Sequence, residues 1–223
     1  MTALLVVTAV PAEAEAVQAG LDDPTVTVVP VGVGPAVAGA ATARLLALAE
    51  AAGRPYRGVV SAGVAGGFPD RVPVGGTVLG TRAVAADLGA ESPDGFIPVD
   101  ELGMPAELLG GGPAVAADPQ LLAALRSALP QATVGPVLTV STVTGTAPST
   151  EVLRRRHPDA VAEAMEGYGV AVAASHAGLP FAELRTISNP IGPRDRDAWR
   201  LREALTALTA AAVALRSPPP STC

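Results

Sequence analysis

The sequence predicts an α/β fold in one domain, a sheet covered by helices. Three observations predict it. Valine-rich apolar runs of strand length recur through the chain. Alanine- and leucine-rich stretches with helical start and stop signals separate them. The chain has 223 residues, 49% of them hydrophobic, enough for one sizeable core.

In chain order, LLVVTAV (4–10) is a buried strand, and PAEAEAVQAGL opens a helix with proline and early glutamates. TVTVVPVGVG (25–34) is a strand whose proline sits near its end, where a missing donor is tolerated. A helix over 35–53 starts on proline and stops on glycine. GVVSAGVAGG (58–67) is a strand running into a glycine-rich turn, and residues 75–87 form another, longer strand. Residues 88–113 are irregular yet carry Phe96, Ile97, Val99, Leu102 and Met104, so they read as an excursion that lines a site. Helices are expected near 119–129, 149–156, 167–177 and 196–216, and strands near 133–141, 160–165 and 181–188. The domain is assigned to 1–216, and SPPPSTC (217–223) reads as a disordered tail.

Composition removes several function classes. The one cysteine is Cys223, so a single chain can build neither a disulfide framework nor a cysteine-rich metal site, which fits a cytoplasmic protein. All 15 basic residues are arginine; without lysine there is no Schiff base, lysine nucleophile or Walker A loop. A net charge of -6 with 3% aromatic residues argues against a nucleic-acid surface and for a small-molecule partner. MTALLVVTAVPAEAEA has the outline of a short signal segment but lacks a basic start, and no apolar run reaches membrane-span length. No cofactor is called for, and no metal site is expected.

His157 and His176 sit in helix-like contexts without a G-x-S-x-G elbow, so each reads as a surface or helix-end residue and a serine triad is not expected. In VGVGPAVAG, Gly32 and Gly34 follow a strand, but Val37 stands where a dinucleotide fingerprint needs glycine. The turn is either a tight strand-to-helix connection or one whose amides face a ligand. The turn Gly63-Val64-Ala65-Gly66-Gly67 allows close backbone approach to a bound molecule, or serves packing. Glu13, Glu166 and Asp195 fall just beyond strands, and in an open parallel sheet acids at those ends converge on one crevice. Glu13 and Glu15 also suit a helix N-terminus. Glu166, among small and apolar neighbours in AMEGYGVA, would be costly to bury without a task.

The ordered set TAVPAEAEAV, VGVGPAVAGAATARLL, VVSAGVAGGFPDRVPVGGTVLG, MEGYGVA and RTISN resembles the nucleoside phosphorylase and nucleosidase superfamily, which includes the methylthioadenosine/S-adenosylhomocysteine nucleosidases, over nearly the whole chain. VSTVTGT, AMEGYGVA and ISNPIGPRDRDAW are most similar to its futalosine hydrolase family, which removes hypoxanthine from futalosine in the alternative menaquinone pathway. The resemblance implies a single-domain three-layer α/β/α sandwich with a central mixed, mostly parallel sheet, and a homo-oligomer, a dimer in most relatives. It implies that Met165 and Glu166 hold the ribose, that Glu13 orients and deprotonates the attacking water, and that Arg185 lies near that water. It places Val64, Ala65 and Gly66 beside ribose and base, with Thr144 of VSTVTGT among the binding residues and Ser188 and Asn189 at the base. Adenine-specific relatives carry aspartate where this chain has Asn189. An amide cannot protonate the purine but can donate to a 6-oxo group or N7. Asp195 or a water is then left as the acid, and Arg194, Arg196 and the loop around Phe96 are candidates for the 5′ arm. With no basic residue from Pro35 until Arg44, hydrolysis is favoured over phosphorolysis. The alternatives are a methylthioadenosine-type nucleosidase or purine nucleoside phosphorylase, a silent nucleoside-binding protein, and a structural α/β protein. Retention of Glu13, Glu166 and Arg185 speaks against the last two.

Overall fold

The computed structural model describes residues 2–105, 108, 112–193, 195, 197 and 199–216. The expected disordered tail, Arg194 and Arg196 lie outside the described residues. The strands are β1 (Leu4–Thr8), β2 (Val26–Pro30), β3 (Gly58–Gly67), β4 (Thr77–Ala85), β5 (Gly89–Ser92), β6 (Gly95–Pro98), β7 (Ala114–Ala116), β8 (Thr133–Thr139), β9 (Ala162–Ala164) and β10 (Phe181–Pro190). The helices are α1 (Pro11–Gly20), α2 (Pro35–Ala51), α3 (Pro119–Ala128), α4 (Ala147–Arg156), α5 (Gly167–His176) and α6 (Leu201–Ala211), the last continued by a 3-10 turn at Ala212–Leu215.

Alternating strands and helices produce the expected sandwich around an eight-stranded mixed sheet of order β10-β4-β8-β9-β3-β1-β2, with β7 on β4. β1–β2, β1–β3, β3–β10, β4–β8 and β8–β9 are parallel; β4–β10, β3–β9 and β4–β7 are antiparallel. The sheet is not open. β10 also pairs with β3, so β10, β4, β8, β9 and β3 close on themselves while β1 and β2 extend from the ring. The 88–113 excursion has structure of its own, the hairpin β5–β6 and a 3-10 turn at Val99–Glu101. Alternation over four residues per strand is too short to read there against its glycines and prolines.

One core layer joins Leu4, Val6, Val60, Leu79 and Leu184 to Val17 of α1, Leu125 of α3 and Leu208 of α6. The opposite layer sets Leu5, Val7 and Val59 against Leu46 of α2 and Val170 of α5. Both faces of β1 and β3 are therefore buried, which is why they read as unbroken valine-rich runs rather than alternating ones. The α2–α5 contact is backbone against backbone: a methyl group on Gly169 would run into the Pro35 carbonyl, and one on Gly39 would lie 3.0 Å from the Gly169 carbonyl oxygen. Gly169→Val should therefore destabilise the fold by about 1–3 kcal/mol through overpacking. Urea unfolding of the variant against the wild type measures the loss.

Candidate active site

Proline at the first position of α1 fixes its start, and Glu13 follows in the first turn. One carboxylate oxygen, Oε2, accepts the N–H groups of Ala9 (2.9 Å) and Val10 (3.2 Å), satisfying donors the helix leaves open. The other, Oε1, reaches across to accept the N–H of Val64 in β3 at 2.9 Å. Glu13 thus serves the helix N-terminus through one oxygen and reaches β3 through the other. Glu15 is exposed on the same helix.

Glu166 sits at the N-cap of α5, yet its side chain does not cap that helix. The Thr139 hydroxyl accepts the Tyr168 N–H instead, at 2.8 Å. Glu166 Oε1 is left to accept the N–H of Gly34 at 3.1 Å, and Oε2 lies 3.7 Å from Arg185 Nη1. Gly32 and Gly34 both have positive φ, 96° and 91°, which glycine adopts without strain. So the first glycine turn is a strand-to-helix connection whose amide faces the site carboxylate.

Arg185 in β10 is the centre of this arrangement. It is 1% exposed; its Nε donates to Glu183 Oε1 at 2.9 Å and its Nη2 to the Ser61 hydroxyl at 2.9 Å. Burial works against its charge, but Glu183, Glu166 and Glu13 together outweigh that and raise its pKa above the ordinary arginine value. Burial also raises the pKa of Glu183, with Arg185 pulling it back. Glycine is needed around the cluster. A methyl group on Gly63 would stand 2.6 Å from Glu13 Oε1 and 2.9 Å from Arg185 Nη1, and one on Gly167 would collide with both Glu183 carboxylate oxygens.

A second element lies beside the cluster, at the carboxyl end of β10. The register with β3 steps from Ile187–Ala65 to Asn189–Gly66, so Ser188 is an extra residue that re-aims Asn189. The Ser188 hydroxyl donates to Asn189 Oδ1 (2.8 Å), and Asn189 Nδ2 donates to the Pro190 carbonyl (2.9 Å). Asn189 lines a cleft with Gly66, Thr144, Glu163, Ile191 and Trp199. Two buried or half-buried polar centres, one acidic around an arginine and one amide-bearing, therefore meet at the ends of β3 and β10.

A model of the phosphorylase superfamily matches residues 6–217. Futalosine hydrolase of Streptomyces coelicolor is 52% identical over 178 residues, covering 80% of this chain and 73% of that protein. The chain belongs to the futalosine hydrolase family. Another member, from Acidothermus cellulolyticus, is 45% identical and covers 95% of this chain and 89% of its own length. Among solved structures, a methylthioadenosine/S-adenosylhomocysteine nucleosidase of Colwellia psychrerythraea in complex with adenine superposes with a TM-score of 0.80 at 20% identity, covering 96% of this chain and 94% of its own. Futalosine hydrolase of Helicobacter pylori superposes at 0.76 with 16% identity, covering 96% and 97%. The futalosine hydrolase fold is thus shared with the nucleosidases.

Within this family frame, Glu13, Glu166 and Arg185 come together, with Val64 joined to Glu13 through its N–H, while Asn189, Gly66 and Thr144 line the cleft and Ser188 is buried behind Asn189. Ala65 is buried, its carbonyl accepting from the Ser188 hydroxyl at 3.3 Å, and Met165 is half-buried beside Glu166. Asp195 is exposed at the mouth of the cleft that Asn189 lines, where it accepts the Asp197 N–H at 3.0 Å. Phe96 lies beneath the Arg156 guanidinium, 3.9 Å from carbon to ring centroid. His176 is exposed in the last turn of α5, and His157 follows α4.

Three participants escaped the sequence reading: Glu183, Ser61 and Glu163. Glu183 and Arg185 are two apart on one strand and so share a face, a signal that was there to be used. Arg185→Ala should cost about 3–5 kcal/mol of stability at neutral pH, because it leaves buried carboxylates without their cation. Unpaired buried carboxyls have folded pKa values above their unfolded ones, so the deficit should shrink as pH falls and they become neutral. Denaturant titrations of wild type and variant across the acid range check both the size and the sign.

Proposed function

We propose that the chain is an N-glycosidase that hydrolyses futalosine to dehypoxanthinyl futalosine and hypoxanthine, acting in the cytoplasm in the alternative menaquinone pathway. One observation carries the reading from family to chemistry: Glu13 and Glu166 are held against Arg185 beside a cleft whose base-side residue is Asn189, an amide. In this reading the Glu166 carboxylate accepts hydrogen bonds from the ribose hydroxyls and stabilises positive charge growing on the sugar. Met165 packs on the ribose, and Val64, Ala65 and Gly66 border it. Glu13 removes a proton from the water that attacks C1′, and Arg185 holds the acceptors in place. Asn189, steadied by Ser188, donates to the 6-oxo group or N7 of the base, which suits hypoxanthine better than adenine.

Hydrolysis is favoured over phosphorolysis by a specific contact. The Gly34 amide at the start of α2, the kind of donor that would greet a phosphate, is already given to Glu166. No metal or cofactor enters the scheme. The same reading carries a homodimer in which the 88–113 excursion of one subunit closes the other's site; Leu102 and Met104, 39% and 41% exposed, suit a covered position.

Chromatography of products tests the substrate: futalosine, inosine and methylthioadenosine are each offered with and without phosphate. Hypoxanthine from futalosine, indifferent to phosphate, is the expected result; adenine from methylthioadenosine alone would overturn it. With futalosine, Glu13→Gln should lower kcat by roughly 10² to 10⁴, the usual range for a general base. Asn189→Asp should shift the preference toward adenine nucleosides, read as the ratio of kcat/KM for methylthioadenosine and futalosine.

A further inference from the structure

The cleft that contains Asn189 also contains a buried acid with no role in the scheme above. Glu163, 4% exposed, is the middle residue of β9, whose neighbours Ala162 and Ala164 point into an apolar core. Strand alternation turns Glu163 to the opposite face. Its partner across the ladder is Gly66, and the partner of Gly66 on the next strand is Asn189. Residues opposite one another across a ladder share a face, so Glu163, Gly66 and Asn189 form a row across three strands. The Ser188 bulge brings Asn189 onto that face; without it the amide would point the way of Ile187. Gly66 carries no side chain, so the row has a gap at its middle. The two ends are two strand spacings apart, about 10 Å between Cα atoms. A flat bicyclic base with polar groups at both ends fits such a gap.

Thr144 holds the carboxyl. Its N–H donates to Glu163 Oε1 at 2.7 Å, and its hydroxyl donates to Oε2. A carboxyl group offers about four acceptor positions. Thr144 takes one on each oxygen, leaving one on each for the cleft. Burial raises the Glu163 pKa, the two Thr144 bonds oppose this, and Asp87 beyond β4 adds to the rise. Asp195 stands at the mouth of the same cleft, and none of the described lining residues is cationic. Among the described residues that line it, no charge holds the proton off Glu163.

We propose that Glu163, as a neutral carboxylic acid, is the catalytic residue that protonates the departing base, a role that rests on the hydrolase reading above. The bond from C1′ to the base nitrogen breaks and its electron pair goes to the base. The Glu163 O–H gives its proton to the base, the water oxygen bonds to C1′, and the water's proton passes to Glu13. Glu163 ends anionic and Glu13 neutral; exchange with solvent returns one proton to the first and takes one from the second. Asn189 orients the base at the far end of the row and needs no acidity of its own.

The test is the pH profile of kcat/KM for hypoxanthine release from futalosine. In the wild type, activity falls as pH rises through the Glu163 pKa, because the acid form is the active one. Glu163→Gln, which preserves shape and can still accept from Thr144, should lose roughly 10² to 10⁴ in kcat/KM. Its alkaline fall should move up to the nucleobase's own ionisation. Glu163→Asp should recover part of the rate and of the lower limb. Thr144→Val keeps the acid and removes one anchor, a bond that opposes the rise of the Glu163 pKa, so it should lose no more than about tenfold and keep the alkaline limb, moved to higher pH. If Glu163→Gln keeps the wild-type limb, or falls no further than Thr144→Val, Glu163 only anchors the loop and the proposal is overturned. Circular dichroism of each variant separates loss of chemistry from loss of fold. A wild type that releases adenine from methylthioadenosine instead would sink the substrate reading alone, and the same profiles taken on that substrate would judge Glu163.

Discussion

A single buried guanidinium organises this molecule. Arg185 is buried where an isolated charge would be untenable, and three glutamates from three separate parts of the chain answer it. Glu183 comes from the same strand, Glu13 from the first turn of α1, and Glu166 from the entry to α5. None of these acids could be buried so close together without the cation, and the cation could not be buried without them. The mutual requirement ties the entry of α5 to β10 through the Glu166–Arg185 pair at 3.7 Å, while Glu13 joins α1 to β3 through the Val64 N–H at 2.9 Å.

The surrounding structure serves that cluster. Gly63 and Gly167 leave room for carboxylates where any side chain would intrude, and Thr139 relieves Glu166 of capping its own helix. The Gly34 amide then draws Glu166 toward the first glycine turn. On the other side of β3, a one-residue step in register hands the Asn189 amide to the cleft face. The buried arginine and the cleft amide thus come from one strand, β10, with the direction of each set by pleat and bulge.

Much of this was legible in the sequence. Valine runs and proline and glycine punctuation placed nearly every strand and helix of the sheet, since those elements are buried on both faces and have unambiguous ends. Glu166 stood out because an acid among alanines and glycines is expensive to bury. The same reasoning applies to Glu163, three residues earlier in VAEAME, and to Glu183 in FAELRT, but strands so short or so apolar give one acid little contrast with its neighbours. Closure of the sheet was not legible at all. It depends on β10 pairing with both β3 and β4, a contact between distant segments that no local pattern encodes. Glu13 and Glu166 could be placed at strand ends from local pattern alone, and both act on the charge of Arg185.

The closed ring of β10, β4, β8, β9 and β3 has a mechanical meaning. An open sheet can flex like a hand, its edges splaying to admit a guest; a hoop of hydrogen-bonded strands cannot widen without tearing a ladder somewhere along its rim. Any give in the cleft must therefore come from its lining outside the strands, such as residues 143–145 after β8 and 191–193 after β10. The strands beneath the cleft are accordingly its least compliant wall.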